Sequence, residues 1–121
     1  MNNDILNALL NLSNDHLLMM IANDVSVDSN NFSTPSVDDL MATAERWLNS
    51  VEKDLQSAIC ENDKIVRILS TEDQLSLLAA VADLITSICI GVSPFTVAAL
   101  LVRRGINVLC ADNLVFNKMK L

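Results

Sequence analysis

The sequence contains few of the residues that form turns and aromatic clusters. Its 121 residues include two glycines, two prolines, one tryptophan, three phenylalanines and no tyrosine. A β-sandwich or barrel of this length needs many turns, and therefore many Gly, Pro and aromatic residues. Leu, Ile, Val, Ala and Met supply most of the apolar content instead, which favours helices. We predict an all-α fold, a small single-domain helical bundle over residues 1–121 with about five or six helices.

Residue patterns typical of catalysis are also absent. His16 is the single histidine, which excludes a two-histidine metal site. Neither Gly91 nor Gly105 lies in a glycine-rich phosphate loop or in a G-x-S-x-G turn. The acidic pairs 38–39 and 72–73 both stand at predicted helix starts, where capping and the helix dipole explain them. The sequence therefore predicts a protein that is not an enzyme and that binds no cofactor or metal.

Three cysteines, Cys60, Cys89 and Cys110, are widely spaced and form no C-x-x-C pair. An odd number at this spacing predicts neither a disulfide framework nor a zinc site. Cys89 and Cys110 have apolar neighbours, so we expect them to be free core residues. Asp4 stands where a secretory signal would have a positive charge, and the predicted location is a reducing cytoplasm.

Basic residues are missing from the first third of the chain. Seven acids and no Lys or Arg precede Arg46, whereas residues 46–121 have eight acids and eight bases. The negative electrostatic potential of residues 1–45 would repel nucleic acid and anionic membranes and attract a basic protein. The alternative is that the acids only keep the protein soluble. The acids predicted to bind a partner are Asp24, Asp28, Asp38, Asp39 and Glu45.

Apolar periodicity divides the chain into helical segments. They are predicted over residues 4–12, 16–22, 37–60 and 64–69, from 71 to about 90, and over 95–104. Residues 23–36 are polar and predict a mobile loop. The signal that starts the 37–60 helix is either Thr34-Pro35 or Ser36. Trp47 lies on the apolar stripe of that helix, which predicts a core position, with an exposed binding anchor as the alternative.

Residues 71–104 are predicted to form a central apolar helical hairpin. A capping box at 71–74 opens its first helix, Gly91-Val92-Ser93-Pro94 separates the two, and Gly105 ends the second. Residues 84–102 contain no charge, so a membrane-inserted segment has to be considered. The capped turn within this stretch favours a buried hairpin over a membrane span.

Asp83 is an unusual acid because its sequence neighbours are mostly apolar. We expect it to be ion-paired, to lie at an interface or to have a shifted pKa. Its candidate ionic partners are Lys64, Arg103 and Arg104. Alternatively, Asp83 faces solvent on a narrow polar stripe with Ser76 and Ser87.

These observations favour a protein that acts by binding another protein. The leading hypothesis is an acidic inhibitor, immunity protein or antitoxin-type regulator that binds a basic partner directly. The second is a helical homo-oligomer with a structural or adaptor role. The third is a small membrane-associated protein that uses residues 84–102. Direct nucleic-acid binding is not expected, because there is no basic stripe.

Overall fold

The computed structural model describes residues 3–25 and 36–120 of the chain. The described residues form eight helices and no strand. In chain order these are α1 (Asn3–Leu10), α2 (Asn14–Val25), α3 (Val37–Cys60), α4 (Asp63–Thr71), α5 (Gln74–Ile85), α6 (Pro94–Arg104), α7 (Ile106–Leu109) and α8 (Leu114–Lys120). The all-α prediction is thus confirmed, with more helices than the five or six expected.

Capping residues set the helix boundaries that the sequence predicted best. The Ser36 hydroxyl accepts a hydrogen bond from the Asp39 N–H at 3.1 Å, so α3 begins at Val37 and ends at Cys60 as predicted. Ser93 caps α6 in the same way, with Pro94 in its first turn. Gly105 ends α6 with φ +104°, a backbone conformation that other residues rarely adopt.

The junction between α4 and α5 differs from the predicted capping box. Thr71 is the last residue of α4, and Glu72 follows with a positive φ of 59°. Asp73 is the residue that caps α5, since its Oδ1 accepts from the Ser76 N–H at 3.1 Å and its Oδ2 from the Ser76 hydroxyl at 2.8 Å. A carboxylate with two bonds to one residue is a stronger cap than the Thr71 hydroxyl predicted there.

Several other boundaries also differ from the prediction. Helix α2 continues to Val25, which places the first residues of the predicted 23–36 loop in a helix, and residues 26–35 lie outside the described chain. Helix α5 ends at Ile85 rather than near residue 90. Residues 106–109 and 114–120 form two further short helices, α7 and α8, which lie beyond the last predicted helical segment.

Helix α6 is the centre of the molecule. Residues 96–102 are all buried, and α1, α2 and α5 all pack against this helix. Helices α5 and α6 pack against each other with residues 86–93 between them, but α5 is shorter than the first helix of the predicted hairpin, so the two differ in detail. Within residues 3–25 and 36–120, no helix has the length and apolar character needed to cross a membrane.

A disulfide between Cys60 and Cys110 corrects the prediction that no such bond forms. The two residues are 50 positions apart, both are fully buried, and their Cα atoms are 5.5 Å apart. Packing of α7 against α3 brings them together, assisted by a hydrogen bond from Gln56 Nε2 to the Leu109 carbonyl oxygen at 3.2 Å. Cys110 is therefore not a free core thiol, whereas Cys89 is free and buried as expected.

Candidate protein-binding groove

A surface depression lies over α5, between α1 and α4. Both of these helices pack against α5, and the face between them remains open to solvent as a groove of about 650 Å³. The same opening is bordered by Phe95 from the first turn of α6. We call this depression the α5 groove.

Short side chains form the floor of the α5 groove. They recur at steps of three and four along α5, which places them on one face of the helix. The floor residues are Ser76, Ala79, Ala80, Asp83 and Thr86. None is longer than aspartate, so another backbone can approach α5 closely along this face.

Apolar side chains from three other helices form the walls. Leu6 of α1 is almost completely buried, and Ile68 of α4 and Phe95 of α6 are half-buried. Because Ile68 and Phe95 are only partly covered, they lose further water-exposed area when a partner binds, which favours association.

The two hydroxyl groups on the floor already donate hydrogen bonds within the protein. The Ser76 hydroxyl donates to Asp73 Oδ2 at 2.8 Å, and the Thr86 hydroxyl donates to the Ala82 carbonyl oxygen at 2.8 Å. The hydrogen bond from the Ser76 hydroxyl, with a second from its backbone N–H, lowers the pKa of Asp73. Both hydroxyl donors are therefore committed within the protein.

Asp83 and Lys64 are the two charged residues that line the groove. Asp83 is exposed, and across the described residues its carboxylate makes no ion pair within 4 Å, with Lys64 or any other base. Of the other two partners predicted for it, Arg103 donates to the Leu10 carbonyl oxygen at 2.8 Å and Arg104 to Glu45 Oε1 at 2.7 Å. Asp83 thus faces solvent from the floor of a groove.

The predicted partner-binding acids are not gathered in one cluster. Asp24 Oδ2 accepts from the Ser93 N–H at 3.1 Å, at the start of α6, whereas Glu45 pairs with Arg104 at its end. The 11 residues of α6 separate these two sites by about 16 Å. Both carboxylates therefore have a role within the fold.

The remaining predicted acids are Asp28, Asp38 and Asp39. Asp38 and Asp39 are exposed side by side in the first turn of α3, and neither carboxylate has an ion pair with another described residue. Asp28 lies outside the described residues. Asp38 and Asp39 are consequently the two predicted acids whose charge is most available to a partner.

Other candidate residues occupy structural positions. His16 is exposed in the first turn of α2, where its backbone N–H donates to the Ser13 hydroxyl at 3.1 Å. Trp47 is half-buried against the core, as the apolar stripe predicted. Burial raises the pKa of the Cys89 thiol to about 11, which suppresses the reactive thiolate. In the part of the chain that the structure describes, no group of three metal-binding side chains comes together.

No known protein family, characterised protein or solved structure shows significant similarity to this chain.

Sequence reasoning identified part of the groove. The sequence predicts a solvent-facing stripe of Ser76, Asp83 and Ser87 as one alternative for Asp83. Ser76 and Asp83 lie on the groove floor, whereas Ser87 is not among the residues that line the groove. The walls were not recognised, because Leu6, Ile68 and Phe95 belong to three separate helices and nothing in their local sequence indicates a common depression. Only the packing of α1 and α4 on either side of α5 makes this strip concave.

Proposed function

We propose that this protein is a non-catalytic regulator that binds a basic partner protein, as inhibitors, immunity proteins and antitoxins do. The observation that supports it most directly is the α5 groove, an apolar-walled depression with Asp83 on its floor, whose carboxylate has no ion pair with residues 3–25 or 36–120. Apolar surface around an isolated charge is typical of a site that a partner completes.

The charge distribution supports a basic partner. The chain has a net charge of −7, and Asp38 and Asp39 add two exposed acids at the start of α3. Such a field accelerates encounter with a positively charged protein and makes the association rate depend on ionic strength.

The experiment is a detergent-free affinity purification from the native source, with mass spectrometry of the retained proteins. We expect a stoichiometric basic partner that is released by salt. The double substitution Asp38→Asn/Asp39→Asn should then slow association with this partner about two- to tenfold at low salt and flatten its salt dependence. Asp24 is unsuitable for this test, because its carboxylate accepts a hydrogen bond from Ser93.

A matched control is Glu52→Gln/Asp54→Asn, since Glu52 and Asp54 are two exposed acids on a later turn of α3. Equal slowing by this variant would indicate a general effect of net charge. A partner whose binding ignores ionic strength would rule out the electrostatic part of the proposal. Recovery of this chain alone would rule out the proposal as a whole.

Exposed apolar side chains favour a second candidate function, self-assembly as a structural or adaptor protein. Ile90, Val108 and Leu114 are large apolar residues with 85%, 72% and 76% of their surface exposed. A homo-oligomer would cover such residues. Sedimentation equilibrium of the purified chain tests this, because self-assembly requires a molar mass that rises with concentration.

A further inference from the structure

We propose that the α5 groove binds one α-helix of the partner protein, a helix with small or short apolar residues on one face and a Lys or Arg that pairs with Asp83. This inference rests on the proposed function and specifies the kind of segment that the groove accepts. Shape, charge and the exclusion of a second copy support it separately.

The length of the groove matches a short helical segment. Helices α1 and α4 both pack against α5, and residues of both line the groove. The floor extends from Ser76 to Thr86, about 15 Å or three helical turns. A partner segment of roughly 10 to 12 residues would span it, and the short side chains of Ala79 and Ala80 allow close packing of the two backbones.

The charged residues of the groove determine which charged residues the bound helix should carry. Asp83 lies on the floor about one turn before Thr86, and docking an apolar segment over it would remove its carboxylate from water without compensation. A Lys or Arg in the occupant supplies that compensation and is drawn by the negative charge of the whole protein. Lys64 on α4 favours an acidic residue or a helix C-terminus at the corresponding position of the occupant.

A second copy of this chain does not fit the same groove through its own α5 face. Two such faces related by a twofold axis would place one concave surface against another, leaving an unfilled space between the two floors. A convex occupant is required, and a single helix is the simplest one.

The test uses a display library of helical peptides of 12 to 16 residues as the probe, selected against the full-length protein. We expect enriched peptides with small residues at spacings of three and four and one Lys or Arg among them. Ala79→Leu should fill the groove and weaken binding of the enriched peptides about tenfold or more. Ala42→Leu is the matched control, because Ala42 is also an exposed helical alanine, but on α3.

A charge-reversal experiment is the second test of the proposal. Asp83→Lys should weaken the same peptides, and changing the peptide cation to Glu should restore binding to this variant. Asp54→Lys on α3 is the control for net charge and should have little effect.

Several outcomes would overturn the inference. They are the absence of any enriched helix, enriched peptides that bind Ala79→Leu as tightly as the wild type, and self-association of the protein that Ala79→Leu abolishes. A captured native partner that binds Ala79→Leu normally would overturn the groove assignment while leaving the proposed function intact.

Discussion

Two adjacent arginines at the end of α6 make different contributions to the fold. Arg103 donates to the Leu10 carbonyl oxygen at the end of α1 and to Asn14 Oδ1 at the start of α2, at 2.8 and 3.3 Å. It therefore joins three helices through groups that helix ends leave unpaired. Arg104 pairs with Glu45 while both side chains stay about two-fifths exposed, and such a surface ion pair contributes only about 0 to 1 kcal/mol.

Folding changes the ionisation of the Cys89 thiol. Burial raises the pKa of its thiol from 9.0 to about 11, so the unfolded chain loses this proton first as pH rises. The contribution of the buried thiol to stability is therefore complete below pH 9 and lost between pH 9 and 11, by about 2 kcal/mol. Urea unfolding at pH 8 and pH 11 measures this loss.

The control for that measurement is Cys89→Ala, which removes the ionisable group. We expect the free energy of unfolding of this variant to decrease less over the same pH interval. An identical decrease in the variant and the wild type would assign the alkaline sensitivity to other groups.

At the scale of secondary structure, two helix ends carry a glutamate in opposite backbone conformations. Glu72 ends α4 with φ 59°, a left-handed conformation that costs a residue with a side chain about 1 to 2 kcal/mol. Glu61 ends α3 with φ −99°, which any residue adopts readily. The sequence alone does not distinguish these two positions, because both are glutamate.

This difference predicts opposite effects of the same substitution. Glu72→Gly should increase the free energy of unfolding by about 0.5 to 1 kcal/mol, because glycine relieves the left-handed strain. Glu61→Gly should decrease it by a similar amount, since glycine there only adds freedom to the unfolded chain. Urea unfolding of both variants measures the two effects, and destabilisation by Glu72→Gly would contradict the left-handed conformation.

For the whole molecule, the Cys60–Cys110 disulfide closes a large part of the chain into a loop. It joins the end of α3 to the residue after α7, 50 positions away, with α4, α5, α6 and α7 between. A loop of this length reduces the conformational freedom of the unfolded chain by about 4 kcal/mol in free energy. The disulfide should therefore be among the largest single contributions to stability.

Removal of the disulfide tests this contribution. We expect Cys60→Ala/Cys110→Ala to lose about 4 kcal/mol in the free energy of unfolding relative to the oxidised wild type. Thiol titration of the denatured, unreduced wild type should find one free thiol, that of Cys89. Three free thiols would show that the bond does not form, and a double variant as stable as the oxidised wild type would contradict the estimated loop effect.

Features that depend on neighbouring residues could be predicted from the amino-acid sequence. The all-α class, the bounds of α3 and the caps at Ser36 and Ser93 follow from composition, periodicity and hydrogen bonds across three residues. The α4–α5 junction was assigned incorrectly because Thr71 and Asp73 both lie at the right distance to cap a helix, and the sequence does not rank them.

Tertiary structure alone decided the features that join distant residues. The Cys60–Cys110 bond, the contact of Asp24 with Ser93 and the walls of the α5 groove connect positions 50 or more apart, or three separate helices. Their existence depends on the angles at which helices pack, and these angles result from the whole set of core contacts rather than from any local pattern. For this reason the small stripe on α5 could be recognised from the sequence, whereas the groove around it could not.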